Sequence, residues 1–243
     1  MNVLCIGNSF SQDATRYLHQ IAEAAEDALK VVNLYIGGCP LRRHYNNILE
    51  DAKAYAMEFN GVNTGFFVSI KEALLSDEWD AVTMQQVSSQ SVQYSTYQPY
   101  LTALAAYVKK CAPKARQLLH QTWAYEQGSQ RLCEELGYKT RQEMYQDLAG
   151  AYRQAAEDIS ADGIIPSGYA FECAAYNGLE RLHRDTYHAS LGAGRALLGF
   201  LWYGFLTGKD IDAVEFHGFD EPVGDADLAL IKKSAKQALE EYC

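Results

Sequence analysis

The chain has 243 residues, 48% hydrophobic and 21% charged, with a formal net charge of −10. That composition suits a globular fold with a sizeable core, and the acidic excess argues against a general affinity for nucleic acid or anionic membrane. The longest apolar stretch, ALLGFLWYGFL at 196–206, is too short for a bilayer span, which takes about 20 residues, and no signal-peptide pattern opens the sequence. The expectation is a cytoplasmic protein without a membrane span. Six cysteines, at 5, 39, 111, 133, 173 and 243, form no C-x-x-C pair and read as reduced structural thiols.

In chain order, Val3 to Gly7 is a short apolar strand. Asp13 is a candidate N-cap for a helix running to Leu29, with apolar positions at Tyr17, Leu18, Ile21, Ala24 and Ala25. KVVNLYI, from Lys30 to Ile36, is a second strand closed by Gly37-Gly38. Asn46 to Phe59 reads as a helix, and Gly61 to Phe67 as a hairpin or irregular excursion. Ser69 opens S-I-K-E, a capping box for a short helix ending near Asp77. WDAVTMQQ is a third strand, Gln98 to Cys111 a helix stopped by Pro113, and Ala115 to Tyr125 contains a fourth strand. Residues 126–140 read as a loop or lid, Arg141 to Ile159 as a helix, and Gly163 to Ser167 as a fifth strand. Helices follow at Gly168 to Tyr176, Leu191 to Leu206 and Ala226 to Tyr242, the last capped by Asp225. Strands alternating with helices, and apolar without alternation themselves, point to a parallel sheet covered on both faces. No linker, repeat or low-complexity tract interrupts residues 1–243, so the expectation is a single domain.

Such sheets bind ligands at the carboxyl ends of their strands. Those exits read Gly7-Asn8-Ser9, Gly37-Gly38-Cys39, Gln85-Gln86-Val87-Ser88-Ser89-Gln90 and Gln121-Thr122-Trp123. Each is small or polar directly after an apolar strand. A serine hydroxyl is a nucleophile only when a base takes its proton. Among six histidines, His188 stands in Asp185-Thr186-Tyr187-His188, where a carboxylate three residues upstream can accept the ring N–H and leave the other nitrogen as base. Taken alone, each short motif is also a turn or a helix cap. Cys39 has no histidine tied to it by pattern, and there is no H-E-x-x-H for a metal.

Together, G-N-S after the first strand, G-G after the second, and D-x-x-H with S-x-x-G before a late helix resemble the SGNH, or GDSL-like, hydrolase superfamily. WDAVTMQQ and IPSGYAF add to the likeness of an uncharacterised bacterial branch. Asn8 replaces the usual aspartate of that first block. The resemblance implies a flavodoxin-like three-layer α/β/α sandwich with a five-stranded parallel sheet. It implies Ser9 as nucleophile, His188 as general base, and Asp185 orienting His188. It also implies the backbone N–H groups of Ser9 and Gly38 in an oxyanion hole, with no cofactor and no metal. The family's third block carries an asparagine as a further oxyanion donor, and this chain has none there. Gln86, by its amide, and Ser89, by alignment, are the two candidates. Asn8, Gln85, Gln90 and Trp123 are candidates for lining the substrate pocket. The implied activity is hydrolysis of a small acyl ester, an acetylated sugar or similar polar substrate. The alternative is a non-catalytic carbohydrate- or anion-binding module of the same fold, with Gly-Asn-Ser holding an anion at a helix start.

Overall fold

A computed structural model describes residues 1–242. Cys243, counted above among the structural thiols, lies outside the described residues. Seven strands occur in chain order: β1 (Asn2–Gly7), β2 (Lys30–Tyr35), β3 (Tyr55–Phe59), β4 (Val62–Val68), β5 (Ala81–Met84), β6 (Arg116–His120) and β7 (Gly163–Ile165). They form one sheet in the order β4-β3-β2-β1-β5-β6-β7. β1 lies parallel to both β2 and β5, β6 parallel to β5, and β7 parallel to β6. These five parallel strands are the five apolar runs of the sequence, and their order is that of a flavodoxin-like sheet. The sheet has seven strands rather than five because residues 55–68 add a hairpin, antiparallel, to the free edge of β2.

The helices are α1 (Ser9–Thr15), α2 (Leu18–Ala24), α3 (Leu41–Glu50), α4 (Ile70–Leu75), α5 (Tyr100–Cys111), α6 (Arg141–Ile159), α7 (Ser167–Tyr176), α8 (Ala193–Thr207) and α9 (Asp225–Tyr242). Eight pack in two groups, α1, α2, α7 and α9 around α8, and α3 and α4 against α5, with α6 touching both α5 and α7, giving a three-layer sandwich. α8 carries the longest apolar run and is buried almost throughout, as expected of a helix with no polar face. No helix is long and apolar enough to cross a membrane.

Two sequence expectations are corrected here. The helix expected over Asn46 to Phe59 stops at Glu50, because Asp51 adopts a left-handed conformation (φ 49°) and caps it. The following Ala, Met and Glu favour helix intrinsically, but pairing with β2 wins. Glu58 is the reason it can: its buried carboxylate accepts hydrogen bonds from Asn33 Nδ2 (2.7 Å) and from Gln12. Tertiary partners outweigh a propensity of a few tenths of a kcal/mol per residue. The second correction concerns Asp13, which does not cap a long helix. Asn8 is the cap, its side chain accepting from Phe10 N, and the segment is broken into α1 and α2 around Tyr17. The expected loop at 126–140 contains one π-helical turn, Arg131–Glu135. The five described cysteines are all free.

Candidate active site

Chain reversal in the strand order falls at β1, between β2 and β5, and the cleft opens at the carboxyl ends of these strands. Gly7 ends β1. A Cβ there would sit 2.2 Å from Ser11 Oγ, so glycine is required by close packing. Ser11 Oγ accepts from Asn8 N (3.0 Å) and faces Asn8 O (2.8 Å) and Asn33 Oδ1 (2.7 Å), which seats the start of α1 on the sheet. Asn8 is almost fully buried. Its Oδ1 accepts from Phe10 N (3.0 Å) and Gln85 Nε2 (2.8 Å), and its Nδ2 donates to Cys39 O (3.2 Å). That last bond ties the β1 exit to the β2 exit, and an aspartate has no donor to make it. Ser9 follows as the first residue of α1, where an N–H has no intrahelical acceptor.

The loop after α7 brings the opposite partners. His188 Nε2 lies 2.8 Å from Ser9 Oγ, and His188 Nδ1 lies 2.7 Å from Asp185 Oδ2. Asp185 Oδ1 also accepts from His188 N (2.9 Å). Thr186, between them, is held at φ 74°, a left-handed conformation costly for a β-branched residue. Its carbonyl accepts from Glu126 N (2.7 Å), and the next carbonyl, of Tyr187, accepts from Trp123 Nε1 (2.8 Å). Burial pulls the Asp185 carboxyl up. The bonds from the His188 ring, the His188 backbone and the Tyr187 backbone outweigh it and leave the group below its ordinary value. Asp185 therefore remains an acceptor at neutral pH and favours the His188 tautomer with hydrogen on Nδ1.

Asp13, one helical turn beyond Ser9 and fully buried, anchors the same loop. It accepts from Arg184 Nη1 (2.9 Å), Arg195 Nε (2.8 Å) and Ala189 N (3.1 Å). The network extends through Asp220, which takes Arg16 Nη2 (2.6 Å) and Arg195 Nη1 (2.9 Å). Asp13 was invisible as a site residue because the sequence offered it as a cap. Its spacing of four from Ser9, on one helical face, is the signal that could have found it.

Around Ser9 lies a cleft of about 460 Å³ lined by residues that include Asn8, Gly38, Ser89, Tyr125, Arg131 and His188. Gly38 is held at φ 60°, and a Cβ there would meet nothing within 4 Å, so conformation rather than crowding favours glycine. Ser89 is exposed in this cleft. Gln86 is corrected: it is fully buried and its amide is spent. Oε1 accepts from Leu41 N and Val87 N (both 2.9 Å), and Nε2 donates to Thr96 O and Oγ1 (both 3.1 Å). Gln85 does not line the pocket either; it bridges Asn8 to His120 Nδ1 (2.7 Å) behind it. Gln90 sits in a 3-10 turn away from the cleft lining. Trp123 is buried between Phe10 (centroids 4.1 Å) and Phe171 (4.7 Å), supporting the histidine loop from below. Asn8 lines the cleft, but its polar atoms are engaged by the protein.

Two fully buried histidines flank the site without entering it. His44 Nδ1 meets Tyr55 Oη (2.8 Å) and lies 3.6 Å from Cys39 Sγ; His120 meets Gln85. Burial pushes both imidazoles down to about 3, and it pushes the Cys39 thiol up to about 12, which leaves that sulfur unreactive. A histidine whose folded value lies below its unfolded value of about 6.5 binds more protons unfolded than folded, so stability falls as pH falls below 6.5. Each contributes a loss of about 2 kcal/mol by pH 5, about 4 kcal/mol together. Burial also lowers His183 to about 4, which adds a like loss, so urea titrations from pH 7 to pH 5 should show the sum of the three, and H44Q or H120Q should each remove about a third of the slope. A flat profile above pH 5 would contradict it.

Among the described residues, no three His, Cys, Asp or Glu side chains converge as a metal site. A search of curated protein sequences finds no match. Solved structures do match. A crystal structure of a DUF4886 family protein from Bacteroides uniformis superposes with a TM-score of 0.92 at 31% identity, covering 99% of this chain and 95% of that one. A Slackia heliotrinireducens protein described as a candidate SGNH hydrolase gives 0.62 at 26% identity, covering 85% and 98%. An acetyl xylan esterase from Geobacillus stearothermophilus gives 0.52 at 18% identity, covering 88% and 95%, a likeness of fold. The structural neighbours thus include SGNH and GDSL-like hydrolases, and the fold is a hydrolase fold. The family described as Domain of unknown function (DUF4886) matches residues 2–238, so that the chain belongs to DUF4886.

Proposed function

We propose that this protein is a serine esterase that removes a short acyl group, acetyl foremost, from a carbohydrate or other small polar alcohol. The observation that carries the reading is the unbroken chain from Asp185 through His188 to Ser9, with 2.7 Å and 2.8 Å links, at the rim of an open cleft. Ser9 Oγ attacks the acyl carbon while His188 Nε2 takes its proton. Asp185 holds the Nδ1–H and stabilises the imidazolium. The tetrahedral oxyanion is met by the N–H groups of Ser9 and Gly38, and Ser89 Oγ–H is the third donor in place of the family's asparagine. Preorganised donors of this kind are each worth about 3–4 kcal/mol of barrier. His188 returns its proton to the leaving alcohol, leaving acyl-Ser9. Water then attacks the acyl carbon, His188 taking its proton and handing it to Ser9 Oγ as the acyl–oxygen bond breaks, and the free acid departs. The modest cleft volume, with the hydroxyls of Ser89 and Tyr35 in its lining, favours a short acyl chain over a lipid one.

The protein should hydrolyse p-nitrophenyl acetate and take up a fluorophosphonate at Ser9, read from the mass of the Ser9 peptide. Absence of both turnover and adduct would instead favour the non-catalytic carbohydrate- or anion-binding module.

A further inference from the structure

Of the 15 residues lining the cleft, two are arginines and none is acidic, although the whole chain carries a net charge of −10. Arg184 is committed: its Nη1 serves both oxygens of Asp13. Arg131 is not. Its nearest carboxylate is Glu135, at 3.9 Å, and both side chains are about half exposed. Among the described residues its guanidinium makes no hydrogen bond to a protein acceptor. It instead lies over the Tyr187 ring, 4.1 Å from the centroid, and Tyr187 in turn sits beside His188, 3.9 Å between rings. Packing on an aromatic face restrains a guanidinium while leaving its edge donors outward, the arrangement suited to a planar anion. The cation is thereby held and pre-oriented beside the base, on the 126–140 insertion, with one long, half-exposed carboxylate contact to Glu135 and its hydrogen-bond donors unspent.

We infer that the alcohol side of the ester carries a carboxylate and that Arg131 pairs with it, making the substrate class an O-acylated sugar acid. This rests on the esterase reading of the same cleft. A merely structural Arg131, bracing Tyr187, would affect acidic and neutral esters alike.

The test uses the intact protein and a matched pair, O-acetylgalacturonic acid and its methyl ester, which differ in the carboxyl charge and one methyl group, with released acetate, not methanol, as the readout. The acid should have a kcat/KM at least about tenfold higher, expressed mainly in KM, and 0.5 M NaCl should shrink the ratio. R131Q should bring the ratio close to one, and R131K should retain part of it. Equal values for the two esters in the wild type, or a preference that survives in R131Q, would overturn the inference while leaving the esterase standing. If neither sugar ester is turned over, calorimetry with free galacturonate and galactose decides. Tighter binding of galacturonate that depends on Arg131 upholds the carboxylate site, and no discrimination removes it. Failure to hydrolyse p-nitrophenyl acetate as well would count separately, against the esterase.

Discussion

Ser9→Ala should lower kcat/KM for p-nitrophenyl acetate by about 10⁴- to 10⁶-fold, a loss of about 5–8 kcal/mol in transition-state stabilisation, with the thermal midpoint unchanged. Folding is spared because Ser9 is not the cap of its helix. Asn8 fills that role, and Ser11 and Asn33 hold the turn. The hydroxyl removed bonds only to His188 among the described side-chain contacts. His188→Ala should cost a similar factor, and the double variant should fall no further than either single one, since the two act as a unit. Retention of a tenth of the wild-type rate in Ser9→Ala would remove the serine from the chemistry. Additive losses would mean that the two residues act separately.

Asp13→Ala should destabilise the fold by about 3–5 kcal/mol, because it removes one member of a buried charge network and strands the others. Asp13 is fully buried, and Arg195, the more enclosed of its partners, keeps only Asp220. Asp13→Asn preserves shape and removes charge, so it should fold with a smaller loss. It remains informative about the site. The carboxylate holds Ala189 N and Arg184, and Arg184 N in turn donates to His188 O (3.0 Å), so the loop that presents His188 is fastened from within α1. Asp13 is thus a positioning residue. Asp13→Asn should lower kcat for acetyl esters by about 10- to 100-fold with little change in KM, since a displacement near 1 Å is enough for such a loss. A rise in KM alone, or full activity in a destabilised protein, would show that Asp13 supports the fold only.

The parallel part of the sheet was legible because strands buried on both faces are mainly apolar and do not alternate, and each of the five runs has an apolar stretch of that kind. Gly61 to Phe67 could be read as a hairpin or an irregular excursion, but the strand at 55–59 could not be read, because its helix-forming residues are overruled by Asn33, a polar side chain buried in the neighbouring strand that needs Glu58. Ser9 could be listed from its motif after the first strand, and Asp185 and His188 from D-x-x-H before a late helix, and the fold brings the three within hydrogen-bonding distance. Gln86 could not be judged from the sequence. Whether an amide is available depends on what already occupies it, and Leu41, Val87 and Thr96 come from separate elements. Trp123 failed for a related reason: an aromatic at a strand exit can face the cleft or floor it, and Phe10 with Phe171 decides for the floor. Arg131 left no trace in the sequence at all, since a lone arginine in an insertion is ordinary there.

Ser9 and Asp13 stand one turn apart on the seven-residue α1. One short rod therefore serves as a common gauge for both sides of the proposed proton transfer, touching the hydroxyl at one end and gripping the histidine's loop at the other. Breathing of the sheet carries the two together instead of opening a gap between them. The insertion at 126–140 lies outside that gauge but leans on the same loop, through Glu126 N on Thr186 O and Arg131 on Tyr187, so a change there reaches the base without touching the serine.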